Sequence, residues 1–210
     1  MDELGIRDNT IFVFTSDNGP SPLPTVTPYW TIGDAGPWRG EIGTVLEGCI
    51  RTPGMIRWPG QIPAGRVSNQ IVSMVDIFPT LAKFAGAKVP NDRPMDSVDQ
   101  SDFFLGKSEK SAREGFPIWG ADLLLAVKWR NWKLHFYRQD TMFDPPVKLW
   151  IPFIINLYTD PREEKPTADS WVVTPMLKIV GAFEQSVKQY PLIPMGTPDP
   201  YTPPAVKRAK

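Results

Sequence analysis

The 210-residue sequence has little of several features, and each shortage excludes a class of protein. Its one cysteine, Cys49, excludes an internal disulfide framework. No apolar run approaches the roughly 18 residues that cross a bilayer, so the sequence predicts no membrane span. The first residues are acidic and lack the apolar stretch of a secretory signal peptide, so any such signal is expected further upstream. These features leave the compartment open.

The sequence also lacks net charge, since 23 Lys and Arg residues balance 23 Asp and Glu residues. Nucleic-acid affinity comes largely from clustered cations, and the cluster visible here is a short basic end, Lys207, Arg208 and Lys210. We therefore expect no nucleic-acid partner. Proline is the abundant residue, with 24 copies. One group, at residues 20–37, predicts a loop, and another, at residues 190–204, predicts an extended tail.

The clearest strand signal is the run TIFVFTS at residues 10–16. Because it is continuously apolar rather than alternating, it predicts a strand buried on both faces, as in a parallel sheet covered by helices. The strand ends at a strong turn signal, Asp17-Asn18-Gly19-Pro20. Ligand sites in open α/β sheets lie beyond the carboxyl ends of strands, where Asp17 and Asn18 would stand. Their oxygen atoms suit Ca²⁺ or Mg²⁺, although an ordinary turn is the alternative.

Further elements follow along the chain. Residues 54–58 predict a second strand, and a helix is predicted to be capped by Asp76 and stopped by Gly86. Two strands, at residues 122–127 and 132–137, predict a small antiparallel sheet, with a further strand near residues 156–158 and a closing helix at residues 176–190.

The predicted fold class is α/β. It comprises the end of a large, mostly parallel sheet flanked by helices, followed by a small C-terminal α+β subdomain with an antiparallel sheet. We expect the boundary at the polar stretch after residue 91, which divides the chain into residues 1–95 and 96–210. A buried parallel strand at residue 11 needs neighbours on both sides, so we expect its partners upstream and the chain to be truncated.

A series of short motifs then runs through residues 10–86 in a fixed order. They are Ser16-Asp17-Asn18-Gly19-Pro20, Trp38-Arg39-Gly40, Gly43-Thr44, Glu47-Gly48-Cys49-Ile50-Arg51-Thr52-Pro53, Arg57-Trp58-Pro59-Gly60 and Val75-Asp76-Ile77-Phe78-Pro79-Thr80-Leu81. In their order and spacing they resemble the sulfatase family of the alkaline phosphatase superfamily, in its C-terminal part. The resemblance implies calcium-dependent hydrolysis of a sulfate ester, carried by a small molecule or by a sulfated glycan.

The resemblance assigns Asp17 and Asn18 as two ligands of a Ca²⁺ ion, with Mg²⁺ less favoured. It places the other ligands in an upstream acidic pair and in the nucleophile, a formylglycine made within a Cys-x-Pro-x-Arg motif. Cys49 is followed by Ile50-Arg51 and does not fit that motif. The sequence therefore contains no catalytic nucleophile, and we expect the isolated chain to be inactive.

The loop also departs from the family at one position. Where the family usually has a lysine that contacts the sulfate, this sequence has Ile42, which carries neither charge nor donor. Arg39, Glu47 and Arg51 are expected to support the active-site loop, and the spacing of Glu47 and Arg51 favours a direct pair. The single histidine, His135, is expected to be an exposed or half-buried strand residue.

Two alternatives stay open. The isoleucine at position 42 is compatible with a phosphodiesterase or phosphonate hydrolase of the same superfamily. A non-catalytic, sulfatase-like remnant that binds sulfated ligands or a partner is the third possibility.

Overall fold

The computed structural model describes residues 1–21, 33–92, 94–191, 193, 194 and 196–198. A 3-10 helix at Arg7–Asn9 precedes the first strand, β1, at Phe12–Thr15. β2 spans Gly54–Arg57 and, like β1, lies where the sequence predicts a strand. The two strands pair antiparallel with each other. Much of the predicted loop, the end of the predicted proline-rich tail and the basic C-terminal residues lie outside the described residues.

The burial predicted for β1 is wrong for the described residues. Side chains along the strand alternate between exposed and half-buried, and Phe12 and Phe14 are 45% and 47% exposed. The reason is that, among the described strands, β1 has only β2 beside it. Both sheets formed by the described residues are antiparallel, so the predicted parallel strand pairs are not among them.

Two helices follow in the N-terminal part, α1 at Glu47–Ile50 and α2 at Ile77–Phe84. Asp76 stands at the N-cap position of α2, as predicted, but its side chain makes no capping bond to that helix. Its carboxylate instead serves the 3-10 turn at Met74–Asp76 that precedes α2, where the backbone N–H of the turn's own N-cap, Ser73, donates to Asp76 Oδ2 at 2.9 Å in a capping box. Gly86 ends α2 as predicted, because its φ of 67° is favourable only for glycine.

The C-terminal part is built on a four-stranded antiparallel sheet with strands in sequence order. The strands are β3 at Gly115–Gly120, β4 at Leu123–Trp129, β5 at Trp132–Arg138 and β6 at Val147–Asn156. The predicted hairpin is confirmed as β4 and β5. The closing helix is confirmed as α4, at Val173–Gln189, and a short helix, α3, spans Ser101–Phe104.

The sequence predicts the fourth strand of this sheet poorly. β6 runs for ten residues and ends at Asn156, whereas the prediction placed a strand at residues 156–158. Pro152 within the segment argues against a strand when the sequence is taken alone. In the structure this proline is tolerated because β6 is an edge strand with an irregular register. Between the pairs Tyr137↔Lys148 and His135↔Phe153 the ladder is interrupted, and Pro152 falls in that interruption.

The four-stranded sheet is covered on both faces, which explains why β4 begins with five consecutive apolar residues. On one face Val127, Leu134 and Ile154 pack against Met176 and Val180 of α4. The other face packs against the loop and helix that follow residue 43, through Val45 and Ile50. We call residues 38–53 the glycine-punctuated loop. The sheet thereby joins the end of the chain to this loop.

The segments on either side of residue 95 are joined by polar contacts. Arg113 donates to both carboxylate oxygens of Asp76 at 2.8 and 2.5 Å, and the backbone N–H of Gln100 donates to Thr80 Oγ1 at 2.9 Å. The division into residues 1–95 and 96–210 stays a prediction.

Candidate functional site

The candidate site begins at the end of β1, where two oxygen donors stand side by side. Asp17 is exposed, and its Oδ1 accepts the backbone N–H of Asn18 at 3.0 Å. The Asn18 amide nitrogen donates to the carbonyl of Gly19 at 2.7 Å, which turns its Oδ1 away from that carbonyl. No group in the described part of the chain bonds Asp17 Oδ2 or Asn18 Oδ1. We call residues 17–20 the oxygen-donor turn.

The turn packs closely against the following loop, and the residues at the contact are glycines. A Cβ on Gly19 would lie 1.8 Å from the Gly48 carbonyl oxygen, so only glycine fits there. A Cβ on Gly48 would in turn lie 2.5 Å from the carbonyl oxygen of Gly40. The Gly19 N–H donates to the Cys49 carbonyl at 2.7 Å and locks the contact. The glycines of the motifs are thus required by close backbone packing.

Position 42 lies beside the same turn. The backbone N–H of Ile42 donates to the Pro20 carbonyl at 2.9 Å, and its side chain is half-buried. The neighbouring Gly43 packs against Met142 in the β5–β6 loop, where a Cβ would lie 2.9 Å from Met142 Cβ. The residue that departs from the family pattern is therefore adjacent, through its backbone, to the oxygen-donor turn.

Arg39 ties the loop to the C-terminal part of the chain. Its Nε donates to the Arg162 carbonyl, its Nη1 to Asp140 Oδ1 and its Nη2 to the Glu163 carbonyl, each at 2.9 Å. All three partners lie more than 100 positions further along the sequence. All three hydrogen bonds of the Arg39 guanidinium group are therefore made to the C-terminal part of the chain.

Glu47 and Arg51 are in contact, with Arg51 Nε 3.5 Å from Glu47 Oε2. The Arg51 guanidinium also stacks 4.5 Å from the centre of the Trp38 ring. Glu47 is fully buried and belongs to a larger cluster of charged side chains. We call this set the buried charge cluster; its members are Glu47, Lys128, Lys133, His135 and Glu163.

The buried charge cluster joins α1 to the four-stranded sheet. Lys128 Nζ lies 2.5 Å from Glu47 Oε2, and Lys133 Nζ lies between the two carboxylates, 3.3 Å from Glu47 Oε1 and 3.2 Å from Glu163 Oε1. His135 Nε2 contacts Glu163 Oε2 at 2.6 Å. The backbone N–H of Glu47 also donates to Glu163 Oε1. Lys128 and Lys133 are directly opposite across β4 and β5, so the intervening carboxylates offset their repulsion.

The ionisation of the cluster follows from these contacts. Burial on its own would raise the pKa of the Glu163 carboxyl, but Lys133, His135 and the Glu47 N–H outweigh it and hold that pKa at about 2. Burial likewise opposes ionisation of Glu47, yet Lys133 and Lys128 keep its pKa below the ordinary value. Burial lowers the pKa of His135, so its imidazole is neutral and Nε2–H donates to Glu163. Two carboxylates therefore face two ammonium groups.

These shifts predict loss of stability in acid. The folded-state pKa of Glu163, about 2, lies below the ordinary pKa of 4.5 that it has in the unfolded chain. Its contribution to stability is therefore complete above pH 4.5 and is lost as the pH falls towards 2. That contribution is about 3 kcal/mol. For His135 the lowered pKa means that the unfolded chain takes up the proton first, so stability also falls below about pH 6.5. Urea unfolding followed across pH should show a decline in both windows. A free energy of unfolding that stays flat between about pH 7 and 3 would contradict the cluster's ionisation.

Most of this cluster is not predicted from the sequence. His135 is predicted to be exposed or half-buried, but the residue is only 6% exposed, because β5 is covered on both faces. No prediction covers Lys128, Lys133 or Glu163. One signal was available, since Lys128 interrupts the apolar run of β4 and Lys133 alternates with His135 on β5. A buried strand with inward lysines requires buried carboxylates.

Two kinds of feature are absent from the residues that the structure describes. They contain no group of three or more His, Cys, Asp or Glu side chains arranged to hold a metal ion. They also contain no helix with the length and apolar character needed to cross a bilayer.

Comparison with known proteins identifies the family to which this chain belongs. Residues 1–87, which include the turn and the loop, match the family described as Sulfatase. Steryl-sulfatase of Rattus norvegicus is 36% identical over 154 residues, covering 70% of this chain and 26% of the relative. N-acetylgalactosamine-6-sulfatase of Canis lupus familiaris is 32% identical over 211 residues, covering 90% of this chain and 39% of the relative.

A solved structure agrees with these sequence matches. PsFucS1 sulfatase from Pseudoalteromonas sp. superimposes with a TM-score of 0.81 and 30% identity, covering 92% of this chain and 40% of that chain. This likeness confirms the predicted fold class. The chain belongs to the sulfatase family. It spans between about a quarter and two-fifths of the length of these relatives.

Proposed function

We propose that this chain supplies two calcium ligands, Asp17 and Asn18, and the adjoining loop to a sulfuric ester hydrolase. The observation that carries the proposal is the backbone lock between turn and loop. The backbone N–H of Gly19 donates to the Cys49 carbonyl and that of Ile42 to the Pro20 carbonyl, so Asp17 and Asn18 stand beside the segment that carries the family motif. Arg39, Glu47 and Arg51 support the loop rather than react, since their side chains are engaged with other protein groups.

The donor chemistry of the turn fits part of a calcium site. Asp17 Oδ2 and Asn18 Oδ1, which no described residue bonds, are hard ligands, but Ca²⁺ takes about six to eight oxygens. These residues therefore fit two positions of such a site, and a complete site needs donors that the described residues do not bring together. When bound, the cation would neutralise charge on sulfate oxygens. Mg²⁺ fits less well because it demands a stricter octahedral geometry.

The nucleophile is the second missing element. The family's formylglycine needs a Cys-x-Pro-x-Arg motif, and the 210 residues contain one cysteine outside any such motif. The backbone carbonyl of Cys49 accepts the bond from Gly19, which gives this position a structural role. The chain on its own is therefore proposed to be catalytically inactive.

The substrate class is proposed to be a sulfate ester of a small molecule or a sulfated glycan. Relatives named for a steryl sulfate and for an N-acetylgalactosamine 6-sulfate cover both kinds. Ile42 favours a second candidate, because it removes the cation that normally faces the sulfate, and Arg39 is engaged elsewhere. That candidate is a phosphodiester or phosphonate hydrolase of the same superfamily. A non-catalytic remnant that binds sulfated ligands or a partner is the third.

The inactivity of the chain is directly testable. We expect no turnover of 4-nitrophenyl sulfate or of bis(4-nitrophenyl) phosphate by the purified 210-residue chain, with or without Ca²⁺, because the nucleophile is missing. The readout is release of 4-nitrophenolate, with an intact arylsulfatase as the positive control. Sulfate-ester turnover above the blank that is lost in Asp17→Ala would show that the chain carries its own nucleophile. Turnover of the phosphate diester alone would favour the second candidate.

A further inference from the structure

A cavity of about 170 Å³ lies between the glycine-punctuated loop and the open side of the four-stranded sheet. It is separate from the oxygen-donor turn, since neither Asp17 nor Asn18 lines it. Part of its rim reaches the surface, where the Arg138 side chain is 61% exposed. Its lining includes Arg39, Leu46, His135, Tyr137, Phe153 and Pro166.

Two polar groups in this cavity have no hydrogen-bond partner among the residues that the structure describes. His135 is more than nine-tenths buried, and its Nε2 is held by Glu163, which leaves Nδ1 as an acceptor in the neutral ring. No residue in the described ranges bonds that nitrogen or the hydroxyl of Tyr137. His135 and Tyr137 are two positions apart on β5 and line the same cavity. The Nδ1 nitrogen of His135 and the hydroxyl of Tyr137 are thereby available to a ligand in the cavity.

The charged groups around the cavity are already paired. Arg39 binds Asp140 and two backbone carbonyls, and Arg138 Nε binds Asp140 Oδ2 at 2.8 Å. The Glu163 carboxylate belongs to the buried charge cluster, and Glu164 pairs with Arg162 at 3.0 Å. Arg39 and Arg138 share the Asp140 carboxylate, so each charged side chain named here is already engaged by another protein group, and a neutral ligand would leave these contacts intact.

We propose that this cavity binds a neutral, polyhydroxylated ring of the size of one pyranose sugar. Apolar walls from Leu46, Phe153 and Pro166 would pack against the ring's carbon face. Nδ1 of His135 would accept a hydrogen bond from one ring hydroxyl, and the Tyr137 hydroxyl would form a hydrogen bond with another. The volume is below the range of about 300–1,000 Å³ that is typical of drug-sized sites, which fits a single ring. The inference does not depend on the proposed calcium site.

The single histidine makes the proposal testable without resonance assignment. The chain, labelled with ¹⁵N-histidine, is titrated with methyl β-D-galactopyranoside and methyl β-D-glucopyranoside in metal-free, sulfate-free buffer. We expect saturable movement of the Nδ1 resonance for at least one sugar, with Nε2 nearly unchanged because it stays bonded to Glu163. Tyr137→Phe should weaken that sugar's binding by about two- to tenfold, the worth of one hydrogen bond. Tyr158→Phe, at a tyrosine 76% exposed and outside the cavity, should leave binding unchanged.

Three results would overturn the proposal. One is an Nδ1 resonance that does not move for either sugar although the chain is folded. Another is an equal response to cyclohexanol, which shares the ring size but has one hydroxyl. The third is a response to inorganic sulfate in place of the sugars. Since no metal is present, none of these results bears on Asp17 and Asn18, so failure here and failure of the proposed function are distinguishable.

Discussion

Replacing Glu163 by glutamine is expected to destabilise the chain by about 3–5 kcal/mol, as for other buried ion pairs that lose one partner. Three donors converge on the Glu163 carboxylate, from Lys133, His135 and the backbone of Glu47. A glutamine amide offers one oxygen to them and directs its own N–H₂ at a donor. It also removes one of two charges that balance Lys128 and Lys133, leaving a buried ammonium group uncompensated.

The neighbouring residue supplies a matched control for this substitution. Glu164 pairs with Arg162 at 3.0 Å, but both side chains are about half exposed. Glu164→Gln should therefore cost at most about 1 kcal/mol. Urea unfolding of the two variants beside the unmodified chain gives the comparison. Equal, small losses for Glu163→Gln and Glu164→Gln would show that the buried charge cluster does not hold α1 to the sheet.

Replacing Gly19 by alanine is expected to separate the oxygen-donor turn from its loop, at a cost of about 3 kcal/mol. The new Cβ would lie 1.8 Å from the Gly48 carbonyl oxygen and 2.9 Å from the Cys49 Cα. Both obstacles are backbone atoms, so no side-chain rotation relieves the clash. The bond from residue 19 N–H to the Cys49 carbonyl must lengthen or break.

Gly54 is the matched control for Gly19. It lies in β2 opposite Thr15, and Thr15 is two residues before the oxygen-donor turn. A Cβ on Gly54 would meet no heavy atom within 4 Å. Gly54→Ala should change the free energy of unfolding by no more than about 0.5 kcal/mol. Hydrogen exchange provides the local readout, since the amide of residue 19 should lose protection in Gly19→Ala alone. Unchanged protection of that amide would mean that the turn and loop are not locked together.

The fold could be predicted from the sequence where the signal is local. Turn residues between Trp129 and Trp132 and the long amphipathic run after residue 172 were enough to predict β4, β5 and α4. The irregular ladder of β6 was not predictable, because Pro152 conceals the strand and only the pairing with β5 makes it acceptable. The burial of β1 depends on neighbouring strands, which a local pattern does not reveal.

The same distinction applies to the candidate site. Asp17 and Asn18 are adjacent in sequence and end a strand, so a local pattern and a family resemblance both point to them. The buried charge cluster is assembled from distant positions, and Glu47 and Glu163 are 116 positions apart in the sequence. No spacing rule links such residues before the fold is known. Cavity-lining partners such as Tyr137 are likewise defined only by packing.

A continuous series of contacts connects the C-terminal sheet to the oxygen-donor turn. Lys128 and Lys133 hold Glu47, which begins α1, and the next residue, Gly48, touches Gly19. Gly19 directly follows the two oxygen donors. We therefore expect changes in the buried charge cluster to alter the turn as well as global stability.

The central claim, that Asp17 and Asn18 bind a divalent cation, is tested most directly by a Ca²⁺ titration followed by amide NMR. We expect weak binding, in the millimolar range or above, because two of about six to eight ligands are present. The shifts should centre on residues 17–19, weaken about tenfold or more in Asp17→Asn, and persist in Asp8→Asn, an exposed carboxylate beside β1. Shifts that avoid residues 17–19, or that respond equally to both substitutions, would contradict the claim.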